Sequence, residues 1–308
     1  MYQLLTLLTG VTLAVMISIN GSLTSYVGMY LAAVIIHIVG SGFAGCLCAV
    51  QKEKKPLFGH HPLWIYLGGA IGVLTTFFNN MAFGHINMTG IIALGLLGQT
   101  ITALIIDTVG LFGMKKQPFH QSTLYGLTFS VLGIVWMLKD TTTTAVMAVF
   151  VSICAGVSVV LSRTVNARLS EKIGALRGSL INHLVGLPIT VFILLFMIGS
   201  GHETLSVSVQ AQPWMFTGGL LGVMVILLCN LTVPRVAAFQ LTILTFVGQV
   251  FTGILLDFVF LGNYSETSLI SGVIIAFGTL LMVIADRRQS DKRLKISGGD
   301  TIRKNEQD

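Results

Sequence analysis

Ten predominantly apolar runs, most of them close to the length of a membrane-spanning helix, dominate this sequence of 308 residues. Such a helix needs about 20 mostly apolar residues, and the strand-length alternation of a membrane barrel is absent. Only 10% of the residues are charged, whereas soluble proteins carry about 25%. We therefore predict an all-α membrane protein with ten transmembrane helices over Leu4–Ile19, Met29–Val50, Leu63–Phe83, Met88–Phe112, Thr123–Leu138, Ala145–Leu161, Leu176–Ile198, Trp214–Val233, Ala237–Leu261 and Ser268–Ala285.

The first run is predicted to be a transmembrane helix and not a cleaved signal peptide. No lysine or arginine precedes it, and Ser18-Ile19-Asn20 is a poor cleavage site. The four cysteines lie inside apolar runs, where small packing residues are expected, and we predict neither a disulfide nor a metal site from them: Cys46, Cys48, Cys154 and Cys229.

The basic residues are distributed unevenly between the two sides that ten spans define. Seventeen of the eighteen lysines and arginines fall on the side of the termini, and only Lys139 falls on the other. This bias predicts two cytoplasmic termini. Contact with anionic lipid headgroups fits the net charge of +6, and nothing supports nucleic-acid binding. The seventeen include four residues around the connection from the sixth to the seventh helix: Arg163, Arg168, Lys172 and Arg177.

The two halves of the sequence match over long ungapped blocks. Trp64–Asp107 matches Trp214–Asp257 at an offset of 150 residues, and Gly10–Gly40 matches Gly156–Gly186 at an offset of 146. The identical positions include Trp, His, Asn, Gln and Asp. We predict two homologous five-helix repeats, residues 1–143 and 144–286, followed by a basic cytoplasmic tail, residues 287–308.

Five spans are an odd number, so the second repeat is expected to enter the membrane in the opposite direction to the first. Inverted repeats are typical of secondary transporters, which bind solute near the midplane of the bilayer and alternate its access between the two sides.

Several segments resemble a known protein family: Gly174–His183, the block with Asn20, Gly28 and His37, and the Gly-Gln pairs followed by an aspartate. With the five-plus-five arrangement, they resemble the YdcZ-like inner-membrane exporters of the drug/metabolite transporter superfamily, in a fused ten-helix form, over residues 4 to about 286. The resemblance implies a permease in the plasma membrane of a bacterium and does not imply a substrate.

Polar residues present in both repeats inside spans are the candidates for a solute or ion pathway, because polar groups are costly in the bilayer. Each of two such glutamines follows a glycine and precedes a threonine by three residues, on nearly the same helix face: Gly98, Gln99 and Thr102, and Gly248, Gln249 and Thr252. Two interpretations stand, a hydrogen bond to a neutral or zwitterionic solute and a hydrogen bond between helices.

The histidines His37 and His183 lie near the middle of their runs. They would either couple transport to protons or bridge two helices as neutral imidazoles, and the bridge is favoured because burial disfavours the charged ring. The equivalent positions Gly42 and Pro188 both weaken a helix, so a kink or hinge is predicted in each repeat.

Two aspartates, Asp107 and Asp257, are expected near opposite mouths of the pathway. They would act as gate latches or as proton or cation acceptors, or would cap or pair near the interface, for instance Asp107 with Lys115 or Lys116. Four asparagines near predicted helix ends are interpreted as helix caps or packing residues: Asn20, Asn166, Asn80 and Asn230.

The function predicted is a secondary transporter, an exporter of a small metabolite or drug-like solute, driven by protons or by exchange. The alternative is a non-transporting membrane subunit or sensor. No enzyme is predicted, because HExxH, GxSxG and clustered Cys/His motifs are absent, and the lack of a Walker motif argues against ATP-driven transport. No metal or other cofactor is predicted, and both a monomer and a homodimer stay open.

Overall fold

The computed structural model of the protein describes residues 1–51, 56–82, 88–117, 119, 121–138, 146–203, 212–261, 266–267 and 269–285. Lys139 and the basic tail lie outside this part of the chain. Ten helices are described in it: α1 Tyr2–Val27, α2 Met29–Val50, α3 Gly68–Ala82, α4 Met88–Val109, α5 Gln121–Leu138, α6 Val146–Ile173, α7 Ala175–Gly199, α8 Gly218–Thr232, α9 Ala238–Leu261 and α10 Leu269–Ala285.

Seven of these helices are long and apolar enough to cross a membrane, with α8 counted together with the 3-10 turn Pro213–Thr217 that precedes it. The seven are α1, α2, α4, α6, α7, α8 and α9, and α10 is apolar but shorter. The prediction of an all-helical, multi-pass membrane protein is therefore confirmed for the residues described.

Two helices are longer than their apolar runs predict. The first run was predicted to end at Ile19 and the sixth at Leu161, but α1 continues to Val27 and α6 to Ile173. Asn20 and Asn166 therefore lie inside helices, and their interpretation as helix caps is wrong. Both helices contain polar side chains that interrupt the apolar pattern without interrupting the backbone hydrogen bonds.

A single glycine joins each of these long helices to the next one. Gly28 connects α1 to α2 with a φ of 79°, and Gly174 connects α6 to α7 with a φ of 97°. A residue with a side chain rarely adopts such angles, which explains glycine at both positions. Helix α6 continues past Leu161 and meets α7 at Gly174, so Arg163, Arg168 and Lys172 lie in α6 and not in the connection predicted after Leu161. Arg177 lies in α7, as the predicted run from Leu176 has it.

The helices pack mainly across the two halves of the chain. Helix α1 packs against α8 and α9, α6 packs against α3 and α4, and α2 crosses α7. Tyr2 packs with Ala167, Val233 and Leu241 at one side of the bundle, which we call the N-terminal side. The end of α1 and the end of α7 meet at the opposite side, where Glu203 lies against Gly28.

Candidate functional site

The two candidate histidines meet where α2 crosses α7. Their ring centroids lie 5.6 Å apart in an edge-on arrangement. Each ring covers a glycine of the other helix, because a Cβ on Gly186 would collide with the His37 ring and a Cβ on Gly40 would lie 2.6 Å from the His183 ring. Because neither glycine has a side chain, the two imidazoles can pack close to each other at the crossing.

The two imidazoles differ in their hydrogen bonding. The Nδ1 of His37 lies 2.8 Å from the Ala33 carbonyl oxygen, which can only accept, so Nδ1–H donates and Nε2 is free to accept in the neutral ring. His183 is only 3% exposed, and neither ring nitrogen has a hydrogen-bond partner among the described residues. Its ring also lies near Gly222 of α8. An imidazole without partners at this depth is the most under-satisfied group at the crossing.

Gln99 and Gln249 lie where α4 packs on α6 and where α9 packs on α1. A Cβ on Gly156 would lie 2.9 Å from the Gln99 amide nitrogen, and one on Gly10 would lie 2.9 Å from that of Gln249. Both side chains are half-buried, and among the described residues no hydrogen bond joins them to the histidines. The Thr102 hydroxyl donates to the Gly98 carbonyl oxygen at 2.8 Å. Its equivalent Thr252 is half-buried.

The glycines before these glutamines are contact points between helices. A Cβ on Gly98 would collide with the Ile153 carbonyl oxygen of α6, and one on Gly248 with the Leu7 carbonyl oxygen of α1. Gly42 and Pro188, the predicted hinge positions, lie inside α2 and α7, both of which are continuous helices. Nothing lies within 4 Å of a Cβ built on Gly42.

Asp107 lies at the N-terminal side and caps a helix of the other half. Its carboxylate accepts the backbone N–H groups of Ala238 at 2.7 Å and Phe239 at 2.8 Å, at the start of α9. The positive end of the helix dipole stabilises an anion at this point. Capping was one of the two predicted roles, but the partner is the α9 backbone and not Lys115 or Lys116. The side chain of its equivalent Asp257 lies outside the described residues.

A buried arginine that the sequence interpretation placed in a connection joins this cluster. Arg163 of α6 is 8% exposed. It donates to the Ala238 carbonyl oxygen at 3.2 Å and to the Thr242 hydroxyl. Its positive charge favours the charged form of the Asp107 carboxylate, although the two side chains form no ion pair among the described residues. The equivalent of Arg163 in the first repeat is Ile17, so alignment of the repeats gave no signal for it.

Asparagines link helices across the bundle. Asn166 donates to the Asn182 side-chain oxygen at 2.7 Å, and the Ser162 hydroxyl nearby donates to the Gly68 carbonyl oxygen at 2.7 Å. Asn230 of α8 donates to the Ala175 carbonyl oxygen at 2.9 Å, at the start of α7. The side chain of its equivalent Asn80 lies outside the described residues. Asn182 was missed because Ile36 is its equivalent.

These features define a multi-pass membrane protein whose buried polar groups gather at helix crossings between its two halves. The profile of a protein family described as "Putative inner membrane exporter, YdcZ" matches residues 1–136 and 147–286. The chain therefore belongs to this family, in a form that contains two copies of the family unit. Membership identifies it as an inner-membrane protein of the transporter class, which points away from an enzyme.

Comparison with other proteins adds the fold alone. No curated protein matches the sequence. One solved structure, described as "Crystal structure of protein", matches with a TM-score of 0.72 at 15% sequence identity, over 94% of this chain and 97% of that chain.

Proposed function

We propose that the protein is a secondary transporter that exports a small metabolite or drug-like solute by alternating access. Its two repeats, residues 1–143 and 144–286, would be inverted relative to each other and would exchange conformations during transport. The protein would lie in the inner membrane with both termini in the cytoplasm, as the distribution of basic residues predicts. Protons or a second solute would supply the driving force.

The observation that carries this proposal is a set of close glycine contacts that recur in both repeats. In five pairs of equivalent glycines, each member approaches the other half of the chain, and the atoms that the two members approach are themselves equivalent. Gly10 of α1, for example, lies against the Thr245 carbonyl oxygen of α9, and Gly156 of α6 lies against that of Gly95 in α4. The five pairs are Gly10 and Gly156, Gly40 and Gly186, Gly68 and Gly218, Gly69 and Gly219, and Gly98 and Gly248.

Reciprocal contacts of this kind are what a twofold arrangement of the repeats requires. A twofold arrangement of two similar halves has two equivalent asymmetric states, in which either half takes either conformation. That equivalence is the physical basis of alternating access in inverted-repeat transporters.

The histidine pair supports proton coupling. His37 and His183 are equivalent residues, and they meet at the α2–α7 crossing, which relates one repeat to the other. Imidazole in water changes its protonation near neutral pH, whereas burial favours the neutral ring, so proton uptake would require water to reach the pair in one of the two states. A proton taken up by this pair in one state and released in the other would couple its movement to that of the solute.

The test is solute flux into lipid vesicles that contain the purified protein. A thermal-shift screen against metabolites and toxic cations would first select solutes that raise the melting temperature. Selected solutes would then be measured for uptake with and without a pH gradient. We expect uptake that saturates with solute concentration and requires the protein. If no selected solute crossed faster than in protein-free vesicles, the transporter proposal would be wrong.

A further inference from the structure

A small cavity opens between α2, α3 and α7 on the side of the bundle away from the N-terminus. Its volume is about 40 Å³, and since one water needs about 10–15 Å³, it has room for about three water-sized groups. The first half of α2 and the second half of α7 line it, and His37 forms part of its wall. No lysine, arginine, aspartate or glutamate is among its described lining residues, and its polar side chains are His37, Tyr30, Thr76 and Thr190.

The equivalent region of the second repeat, at the N-terminal side, is closed. Ala33 and Val73, which line the cavity, correspond to Ser179 and Val223. The Ser179 hydroxyl donates to the Val223 carbonyl oxygen at 3.2 Å and is fully buried. Asn230 adds its hydrogen bond to the start of α7.

The packing between equivalent pairs of helices also differs between the two repeats. Helix α7 packs along α8, whereas no packing of comparable extent joins α2 to α3 among the described residues. The gap between α2 and α3 contains the cavity, and the contact between α7 and α8 fills the equivalent space. The two repeats therefore have similar sequences but different conformations.

The histidine pair lies between these two regions. His37 borders the cavity, and its ring lies 5.6 Å from that of His183. His183 in turn lies against Gly222 of α8, on the closed side. The Nε2 atom of His37 lies against Gly186 of α7, so the pair stands between the cavity and the part of α7 that packs on α8.

We propose that this cavity is the open, outer half of the solute pathway, that the α7–α8 contact is its closed, cytoplasmic half, and that the site accepts a small neutral solute with a hydrogen-bond donor. This inference rests on the proposed transport function. The neutral form follows from the lack of a charged lining residue, because an unpaired charge is costly at this depth. The donor follows from the free acceptor nitrogen of His37.

Cysteine substitution at the equivalent positions Ala33 and Ser179 tests the proposal. The four native cysteines would be replaced by alanine, and Ala33→Cys and Ser179→Cys would be introduced separately, each close in size to the residue it replaces. Reconstituted protein would be treated with neutral 2-hydroxyethyl methanethiosulfonate and with its anionic sulfonatoethyl analogue. The thiolate is the reacting form, so modification requires water at the thiol and does not occur in lipid.

We expect the neutral reagent to modify Ala33→Cys about tenfold or more faster than Ser179→Cys, because only the first position adjoins water. The anionic reagent should react more slowly than the neutral one at Ala33→Cys. Equal rates at the two positions, faster reaction at Ser179→Cys, or no reaction at either would overturn the proposal. The melting temperature of each variant would be compared with that of the cysteine-free parent, so that an unfolded variant is not mistaken for an open one.

A second variant would cover the case in which a cysteine variant does not fold. Ala33→Leu would fill the cavity without adding charge, and we expect it to reduce flux strongly while the melting temperature stays close to that of the parent. Full flux in this variant would overturn the proposal. The thiol assay needs no solute, so the proposed site and the transport function can fail separately: Ala33→Cys can react selectively where no flux is found, and flux can occur where the two positions react alike.

Discussion

Substitution of Gly10 by alanine tests the close packing between the two halves. Gly10 lies where α1 meets α9, and an added Cβ would collide with the Thr245 carbonyl oxygen and lie 2.9 Å from the Gln249 amide nitrogen. Both obstacles are backbone atoms, which cannot rotate away as a side chain could. Helices α1 and α9 would therefore have to move apart at this contact, which has an equivalent between α6 and α4.

The expected effect follows from two opposing contributions. Overpacking costs about 1–3 kcal/mol, while alanine gains roughly 0.5–1 kcal/mol over glycine inside a helix. Gly10→Ala should therefore lose up to about 2.5 kcal/mol. Gly21 is a matched control in the same helix, since nothing lies within 4 Å of its Cβ position. Its equivalent is Ala167, and Gly21→Ala should gain up to about 1 kcal/mol.

Unfolding by sodium dodecyl sulfate in mixed micelles would measure both free energies. Gly156→Ala should match Gly10→Ala, because its Cβ would collide with the equivalent carbonyl oxygen of Gly95. If Gly10→Ala and Gly21→Ala had the same stability, the close contact between α1 and α9 would be wrong. The two contacts would not be equivalent if the free energies of unfolding of Gly10→Ala and Gly156→Ala differed from each other by more than either differs from that of the parent.

Three further predictions concern individual side chains. Asp107→Asn should lower the free energy of unfolding in the same titration by about 1–3 kcal/mol, because the single amide oxygen cannot accept both N–H groups at their present positions; unchanged stability would contradict the capping role. His183→Gln should abolish the effect of a pH gradient on solute flux while exchange persists, and a pH effect of full size would exclude proton coupling through this ring. Arg168 donates to the carbonyl oxygens of Phe112 and Gly113, so Arg168→Gln should speed proteolytic cleavage near Gly113, with Lys172→Gln as the control; equal cleavage rates would contradict this contact.

The sequence predicted the class of fold well, because apolar length and the scarcity of charge are properties of each segment alone. Helix ends were predicted less well where polar residues are buried. Arg163 looked like a cytoplasmic residue, yet it lies inside α6, because Thr242 and the Ala238 carbonyl oxygen satisfy its donors. Such partners come from distant parts of the chain, so the hydropathy of a local segment cannot indicate them.

The candidate site was predictable where both repeats carry the same residue. His37 and His183 were identified in this way, and the structure brings them together. Residues that occur in one repeat only, such as Arg163 and Asn182, were missed because the comparison of the repeats removes them. Similar sequences predict similar conformations for the two repeats. The comparison of the repeats therefore could not indicate that a cavity lies beside α2 while the equivalent space beside α7 is closed.

The central claim is that the two repeats exchange conformations, and pulsed electron–electron distance measurements test it most directly. One protein would carry spin labels at Tyr30 and Phe77, beside the cavity, and a second would carry them at the equivalent Leu176 and Leu227. Across a pH series, or on addition of a transported solute, we predict two distances for each pair, with the longer distance losing weight in the first pair as it gains weight in the second. Distances that stay fixed, or that lengthen together in both pairs, would contradict alternating access by exchange of the repeats.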